Sequence, residues 1–132
     1  MNIRNYPDNE YKENGDGSGP INRFFKNLKK KNPALWAMTR VTLKKAKKEK
    51  DLQFFIGNQQ VSRLTGVSEP LWEFKIPPKN KSGGVVRLYF AYDPDNPTTI
   101  MIFSAEIKTG KNADTAKIKQ AEKRYRETYH GD

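Results

Sequence analysis

The spacing of the apolar residues changes near residue 71, and this change constrains the fold more than any other feature of the sequence. Before it, apolar residues recur every three to four positions, which is the period of a helix buried on one side. After it, they alternate with polar residues, which is the period of a strand. The chain is therefore expected to place helices first and a sheet second.

Two helices are predicted in the first half. Pro20 suits a first helical turn, where its missing N–H leaves no hydrogen bond unmade. Asn32 and Pro33 repeat that signal and open a second helix that runs to about Lys50. The expected apolar stripe of the second helix consists of Ala34, Ala37, Met38 and Val41, with Trp36 and Leu43 beside it. Residues 51–70 show no clean period and are expected to be a connection.

Three strands are predicted over residues 71–76, 85–92 and 100–103. The two connections between them are short, which predicts an antiparallel meander. Asp114 is then expected to cap a final helix. The predicted fold class is α+β: an N-terminal helical hairpin packed on a small three-stranded antiparallel sheet, followed by a C-terminal helix.

The 132 residues fit one domain. Residues 20–128 are predicted to form it, and residues 129–132 a tail. Residues 1–19 are expected to be either a flexible segment or an added edge strand. Their acidic, glycine-rich character favours mobility, so deletion of residues 1–20 is expected to leave the thermal transition nearly unchanged.

Positive charge is concentrated in one segment. The formal net charge is +10, and residues 21–50 carry eleven Lys and Arg side chains against the single acid Glu49. Such a surface attracts polyanions, nucleic acid first among them. A solvated helical face, or a surface that docks an acidic protein, are the other interpretations. The lysines expected to contact RNA here are Lys44, Lys45, Lys47 and Lys48.

Several chemistries are excluded by composition. Cysteine is absent and His130 is the single histidine, which excludes disulfides, thiol catalysis, zinc clusters and Ser-His-Asp triads. We therefore expect no metal and no cofactor. No apolar run reaches 18 residues and the N-terminus lacks the apolar stretch of a signal peptide, so we expect no membrane contact and a cytoplasmic location.

The polar sides of the predicted strands carry the candidate site. Lys75, Arg87 and Tyr89 are expected to project from the sheet face opposite the helical hairpin, together with Glu73. The connecting segments add basic residues near this face: Lys79, Lys81, Lys108 and Lys111. Arginine and lysine can hold phosphate, and a tyrosine can stack on a base. The simpler interpretation is that these residues form the solvated face of a sheet.

Cleavage of RNA by its own 2′-hydroxyl needs cations around the phosphorane, together with a base and an acid. A crowded lysine can lose its proton and act as the base, and a tyrosine can donate. Metal is not obligatory, because the nucleophile belongs to the substrate. The candidate catalytic residues are Lys75, Arg87, Lys108, Lys111 and Tyr89.

Five stretches resemble one known family. Residues 71–75 (LWEFK) and 87–90 (RLYF) resemble the L-x-E-L-R … R-x-x-Y/F pattern of RelE/ParE-type toxins, in their phage-related HigB-like branch. Residues 19–25 resemble its S-P-V-x-x-F-L helix opening, residues 108–111 its K-T-x-K segment, and residues 118–124 its I-x-x-A-x-x-R closing helix. Lys75 stands where an arginine is usual.

The resemblance implies a RelE-like fold and a toxin of a type II toxin–antitoxin system. Such a toxin is a ribosome-dependent mRNA endoribonuclease that a cognate antitoxin neutralises, so its partners are mRNA, the ribosome and the antitoxin. It also implies that Lys75, Arg87 and Lys108 or Lys111 contact the phosphate, and that Tyr89 or Tyr125 stacks or transfers protons. Arg124 belongs to the matched closing helix and is a further RNA-contact candidate.

Two other functions remain open. ParE-like members act on gyrase, and a phage-derived relative can lose activity and remain a non-catalytic, RNA-binding domain. Relief of growth arrest by Lys75→Ala, Arg87→Ala and Lys111→Ala, with mRNA cut inside codons, would indicate the ribonuclease. Arrest with DNA damage and intact mRNA would indicate the gyrase inhibitor.

Overall fold

A computed structural model describes residues 1–77, 84–108 and 114–131. Within them, six strands form one sheet and four helices pack on it. In chain order the elements are β1 (Asn2–Asn5), β2 (Asn9–Glu10), α1 (Pro20–Lys31), α2 (Pro33–Lys48), α3 (Gln53–Gly57), β3 (Val61–Arg63), β4 (Trp72–Ile76), β5 (Val85–Asp93), β6 (Asn96–Lys108) and α4 (Thr115–Tyr129).

The sheet is mixed and has the strand order β2-β1-β6-β5-β4-β3. The three predicted strands are present as the antiparallel neighbours β4, β5 and β6. The sheet is wider than the three strands predicted, because β3 extends one edge and β1 pairs in parallel with β6 at the other. The α+β class is therefore confirmed, and the size of the sheet is corrected from three strands to six.

The N-terminal segment belongs to the sheet. Ile3 is fully buried between elements of the core. The buried Asn5 donates a hydrogen bond from Nδ2 to Oδ1 of Asn22 at 3.0 Å. Of the two alternatives for residues 1–19, the added strand is thus the one observed over residues 2–5, and it lies inside the sheet rather than at its edge. A four-residue strand with one aliphatic residue has too little pattern to be recognised in sequence.

The helix boundaries follow the local signals. Asn32 Oδ1 accepts the backbone N–H of Leu35 at 3.2 Å, and Asp114 Oδ1 accepts that of Ala116 at 2.9 Å. Both predicted caps are therefore confirmed. Residues 51–70, expected to be a connection, contain α3 and β3. None of the described helices is both long and apolar enough to cross a lipid bilayer.

The main core lies between one face of the sheet and helices α1, α2 and α3. Phe74, Ile76, Val86, Leu88 and Phe90 point into it from β4 and β5, as the alternation predicted. The helices contribute aromatic and aliphatic side chains to the same cluster: Ile21, Phe25, Leu28, Leu35, Trp36, Leu43 and Phe55. Burial of these side chains is the main source of stability on this side.

The buried stripe of α2 differs from the predicted one. Its members are Leu35, Trp36, Thr39, Leu43 and Ala46. Thr39 can be buried because its hydroxyl donates to the carbonyl oxygen of Leu35 at 2.9 Å. The predicted stripe is wrong because it followed apolar residues alone, whereas the buried side includes this threonine; Trp36 and Leu43, expected beside the stripe, are buried. Met38 and Val41 are exposed instead.

A second, smaller core occupies the opposite face of the sheet. Ala121 and Tyr125 of α4 pack there on Ala91, Met101 and Phe103. The contacts of α4 with the sheet are with β6 and β5. This face was expected to be open, and the helix covers the part of it that holds Met101 and Phe103.

We predict that β1 is required for stability. Ile3→Ala should lower the free energy of unfolding by about 2–4 kcal/mol, because it leaves a cavity between β1, β6 and the helices. The exposed Asn2 on the same strand is the control, and Asn2→Ala should change it by about 0.5 kcal/mol or less. Urea denaturation measures both. A required β1 contradicts the expectation that residues 1–20 can be deleted without loss of stability. Equal urea midpoints for Ile3→Ala and Asn2→Ala would support that expectation instead.

Candidate functional site

Three neighbouring strands place their charged residues on the sheet face that carries α4. Across the ladder, Lys75 lies opposite Arg87, and Arg87 lies opposite Glu106. In the next row, Glu73 lies opposite Tyr89. Paired residues on neighbouring strands have Cβ atoms about 5 Å apart. We call this group the charged patch, and its members are Glu73, Lys75, Arg87, Tyr89, Glu106 and Lys108.

An ion pair between Arg87 and Glu73 lies at the centre of the patch. Arg87 Nη1 is 3.2 Å from Glu73 Oε1, and the two side chains are 12% and 10% exposed. Burial raises the pKa of the Glu73 carboxyl, and the positive charges of Arg87 and then Lys75 offset part of that rise. The carboxylate is thus costly to ionise, and the ion pair with Arg87 lowers that cost.

Tyr89 and Glu106 form a second buried pair. The Tyr89 hydroxyl donates to Glu106 Oε2 at 2.8 Å, and the backbone N–H of Asp114 donates to the same oxygen at 3.1 Å. Burial, followed by this hydrogen bond to the carboxylate, raises the pKa of the Tyr89 hydroxyl far above its ordinary value. Tyr89 therefore stays protonated and holds Glu106 in place beside the start of α4.

Two lysines form the more accessible rim of the patch. Lys75 is half-buried, and the Lys108 side chain is 30% exposed with its Nζ 3.8 Å from Glu106 Oε1. Three cations thus surround two carboxylates, which leaves the patch with one excess positive charge. Within the described residues, Oε1 of neither Glu73 nor Glu106 accepts a hydrogen bond. These two buried oxygens face Arg87 and Lys108 as ion pairs instead.

The structure brings together Lys75, Arg87 and Lys108 of the predicted catalytic set. Lys111 and the two loop lysines Lys79 and Lys81 lie outside the described residues. Tyr89 belongs to the same face, but its ring is fully buried. A buried ring cannot stack on a base, so the predicted stacking role is replaced by a positioning role toward Glu106.

Two predicted RNA contacts on α4 have structural partners instead. Tyr125 is buried against Phe103 and Tyr129. Arg124 donates from Nη1 to the backbone carbonyl of Phe103 at 2.7 Å, and its guanidinium lies 4.8 Å from the centre of the Tyr6 ring. Both residues join α4 to β6, which accounts for them without RNA.

The α2 lysines occupy a different side of the molecule. Lys44, Lys45, Lys47 and Lys48 are all exposed. Their helix packs on the sheet face that holds Phe74 and Val86, whereas the charged patch lies on the other face. The α2 lysines and the charged patch are consequently two separate surfaces.

Sequence reasoning missed Glu106 as a member of the site. The third strand was expected to end at residue 103, whereas β6 continues to Lys108, so Glu106 was not assigned to a strand face. The alternation of Ser104, Glu106 and Lys108 was the available signal, since residues two apart share a strand face. Ser104 anchors this end of β6, donating from Oγ to the carbonyl oxygen of Lys117 at 2.7 Å.

Comparison with known proteins adds no relative. No family model matches the chain, and no curated protein or solved structure matches it. Among the residues that the structure describes, no three His, Cys, Asp or Glu side chains are grouped so that they could hold a metal ion. The candidate site therefore rests on its own geometry.

We predict that the Tyr89 hydroxyl stabilises the fold whereas a matched tyrosine hydroxyl does not. Tyr89→Phe should cost about 1.5–3 kcal/mol, because it removes a buried hydrogen bond to a carboxylate. Tyr11 is equally buried, but its hydroxyl has no hydrogen-bond partner among the described residues. Tyr11→Phe should be neutral or stabilising. Urea denaturation of both variants tests this, and similar losses would contradict the pairing.

The raised pKa of Glu73 predicts a pH dependence of stability. A carboxyl whose pKa is raised by folding binds its proton more tightly in the folded chain. The stability of the wild type relative to Glu73→Gln should therefore be greatest below about pH 4.3, the ordinary pKa of glutamate. It should fall as the pH rises to the raised pKa and be constant above it. Chemical denaturation at a series of pH values measures this.

Glu122 provides a control of opposite sign. Its Oε2 accepts hydrogen bonds from the Ser68 backbone N–H and hydroxyl at 2.7 and 2.6 Å, and these lower the pKa of its carboxyl. The extra stability of the wild type over Glu122→Gln should be fully present above the ordinary glutamate pKa. It should be lost as the pH falls through the lowered pKa of Glu122. If both variants changed in the same direction, the account of Glu73 would be wrong.

Proposed function

We propose that this protein is the toxin of a type II toxin–antitoxin system and acts as a ribosome-dependent mRNA endoribonuclease. The observation that carries the proposal is the charged patch. Lys75, Arg87 and Lys108 come from three consecutive strands and meet at one end of one sheet face. Three cations on neighbouring strands of one face suit a phosphodiester, which offers oxygens on several sides.

The order of elements supports the same proposal. The resemblance implies a helical hairpin, then an antiparallel meander, then a closing helix, and these are α1 and α2, β4 to β6, and α4. The strand residues that carry the resemblance lie in β4 and β5, where Lys75 and Arg87 face each other. We propose that this arrangement is RelE-like, with β1 to β3 as additions to the meander.

The proposed reaction is transfer of the phosphoryl group within the RNA. The 2′-oxygen attacks the adjacent phosphorus, the bond to the 5′-oxygen breaks, and the products carry a 2′,3′-cyclic phosphate and a 5′-hydroxyl. Arg87 and Lys75 would stabilise the negative charge of the phosphorane. Glu73 is suited to receive the 2′-proton, because burial raises the pKa of its carboxyl and so makes the carboxylate a stronger base. Lys108 would donate a proton to the departing 5′-oxygen.

The internal ion pair explains how the site stays stable without RNA. Buried cations without anionic partners would be costly, and Glu73 and Glu106 supply those partners. A bound phosphate would compete with Glu73 for Arg87. Exchange of one anion for another leaves the arginine paired throughout and frees the Glu73 carboxylate to act as a base.

The same pairing favours the second candidate function, a binding protein without catalysis. If Arg87 and Lys108 serve only to neutralise the two glutamates, the patch is structural and the surface cations contact the target. A ParE-like gyrase inhibitor and an inactive RNA-binding domain both fit this description. Growth arrest with DNA damage and intact mRNA distinguishes the first, and binding of uncut RNA with a steep salt dependence distinguishes the second.

We predict that the charged patch is required for cleavage. Lys75→Ala should reduce the rate of mRNA cleavage on programmed ribosomes about 100-fold, because it removes one contact to the phosphorane. Lys108→Ala should act similarly. Lys26→Ala, which removes an exposed lysine of α1, is the matched control and should stay within about twofold. The rates are read from primer extension on mRNA incubated with ribosomes and purified protein.

Arg87 needs a paired variant, since Arg87→Ala leaves the Glu73 carboxylate buried without its ion pair. The double variant Glu73→Gln, Arg87→Gln removes both charges together. It should keep the thermal transition of a folded protein and lose cleavage. Full cleavage by this folded variant, or by Lys75→Ala, would refute the assignment of the site.

A further inference from the structure

Helix α2 carries a second apolar stripe that the core does not use. Met38 is 40% exposed and Val41 is 62% exposed, and Ala37 is exposed beside them. Val41 follows Ala37 by four positions and Met38 by three, so the three residues lie on one side of the helix. The core uses the stripe that contains Leu35, Thr39 and Leu43. A solvated helix face normally carries polar side chains, so this stripe needs an explanation.

The stripe forms one wall of a groove of about 410 Å³. The groove is lined by Ala37, Met38, Val41, Thr42, Gln60, Ile76 and Pro77. Ile76 and Pro77 at the end of β4 supply its apolar opposite side. β4 is already paired on both sides, with β5 and β3, and Pro77 after it has no backbone N–H, so an added strand would find no regular pairing here.

The surroundings of the groove are basic. From residue 33 to residue 48, α2 contains five Lys or Arg residues and no Asp or Glu. Lys45 and Lys48 follow Val41 by four and seven residues and so continue the same side of the helix. Lys45 Nζ lies 3.6 Å from the centre of the Phe54 ring, and that ring is 52% exposed. Apolar surface and positive charge therefore adjoin along about 17 Å of helix.

We propose that this groove docks an acidic amphipathic helix of another protein. A helix laid along α2 would place apolar residues at i, i+3 or i+4, and i+7 in the groove and glutamates against the lysines. RNA phosphates would pair with the lysines, but RNA has no aliphatic groups to pack on Met38 and Val41. A second copy of this chain is disfavoured, because it would bring another basic α2 against the first.

The inference does not depend on ribonuclease activity. The groove and the charged patch lie on opposite faces of the sheet, one beside α2 and the other on the side of α4. A partner that neutralises the protein would thus bind at a surface separate from the charged patch. A variant that loses RNA cleavage but still binds the peptide, or one that loses the peptide but still cleaves RNA, separates the two proposals.

The test uses a synthetic 18-residue peptide with Leu at helical i, i+3, i+4 and i+7 spacing and Glu on the flanking positions. The control peptide has Ser in place of each Leu and keeps every Glu. We expect the first peptide to bind the full-length protein at least 10-fold more tightly than the second at physiological salt. A single-stranded 18-nucleotide RNA is measured in parallel.

Two exposed aliphatic residues provide matched variants. Val41→Asp should weaken the Leu-containing peptide at least 10-fold, whereas Ile107→Asp should change its affinity less than twofold. Ile107 is 42% exposed on β6, two strands from Ile76, and does not line the groove. Both positions are exposed, so both variants are expected to fold, and the thermal transition verifies it.

The methionine methyl groups locate the peptide. The chain has three methionines, of which Met38 lines the groove and Met101 is buried in the second core. Methyl NMR should show a shift at Met38 on peptide binding and none at Met101. Equal affinity for the Leu and Ser peptides would overturn the proposal. So would RNA that displaces the Leu peptide, if Val41→Asp leaves the affinity for that peptide unchanged. Either result would identify a surface that binds polyanions.

Discussion

The pairing of β6 with two strands is the constraint on which the remaining structure depends. β6 pairs antiparallel with β5 along most of its length and in parallel with β1 on its other side. A strand inside a sheet must be covered on both faces unless one face is polar. Near residues 100–103 both faces are apolar, so helices cover both. Toward Lys108 one face becomes charged, and that end holds the candidate site.

Charged residues on this face are stable because they are paired in register. Arg87 lies beside Glu73, and Glu106 is held by Tyr89 and by the start of α4. Burial of any one of these charges alone would cost several kcal/mol. The register of three strands therefore assembles the patch, and a phosphate could replace one anion of the patch without leaving a cation unpaired. Stability and the proposed chemistry use the same residues.

The sequence predicted what depends on local pattern. The helical hairpin, its Asn32 cap, the three central strands and the side on which Arg87 projects all follow from spacing or capping. It did not predict what depends on tertiary context. The strand β1 has one aliphatic residue, the burial of Thr39 relies on a hydrogen bond within its own helix, and the burial of Tyr89 needs α4 above it. Of the predicted catalytic cations, Lys75, Arg87 and Lys108 lie together, whereas the place of Glu106 in the site follows only from the register of β6.

The chemistry of the RNA ends tests the central claim most directly. Purified protein is incubated with ribosomes programmed with an mRNA that carries a single 2′-deoxy substitution at the mapped cut position, next to the unmodified mRNA. The account predicts that the unmodified mRNA is cut within a codon to give a 2′,3′-cyclic phosphate and a 5′-hydroxyl, and that the 2′-deoxy mRNA stays whole. Uncut mRNA in both cases, or equal cleavage of both, would contradict it.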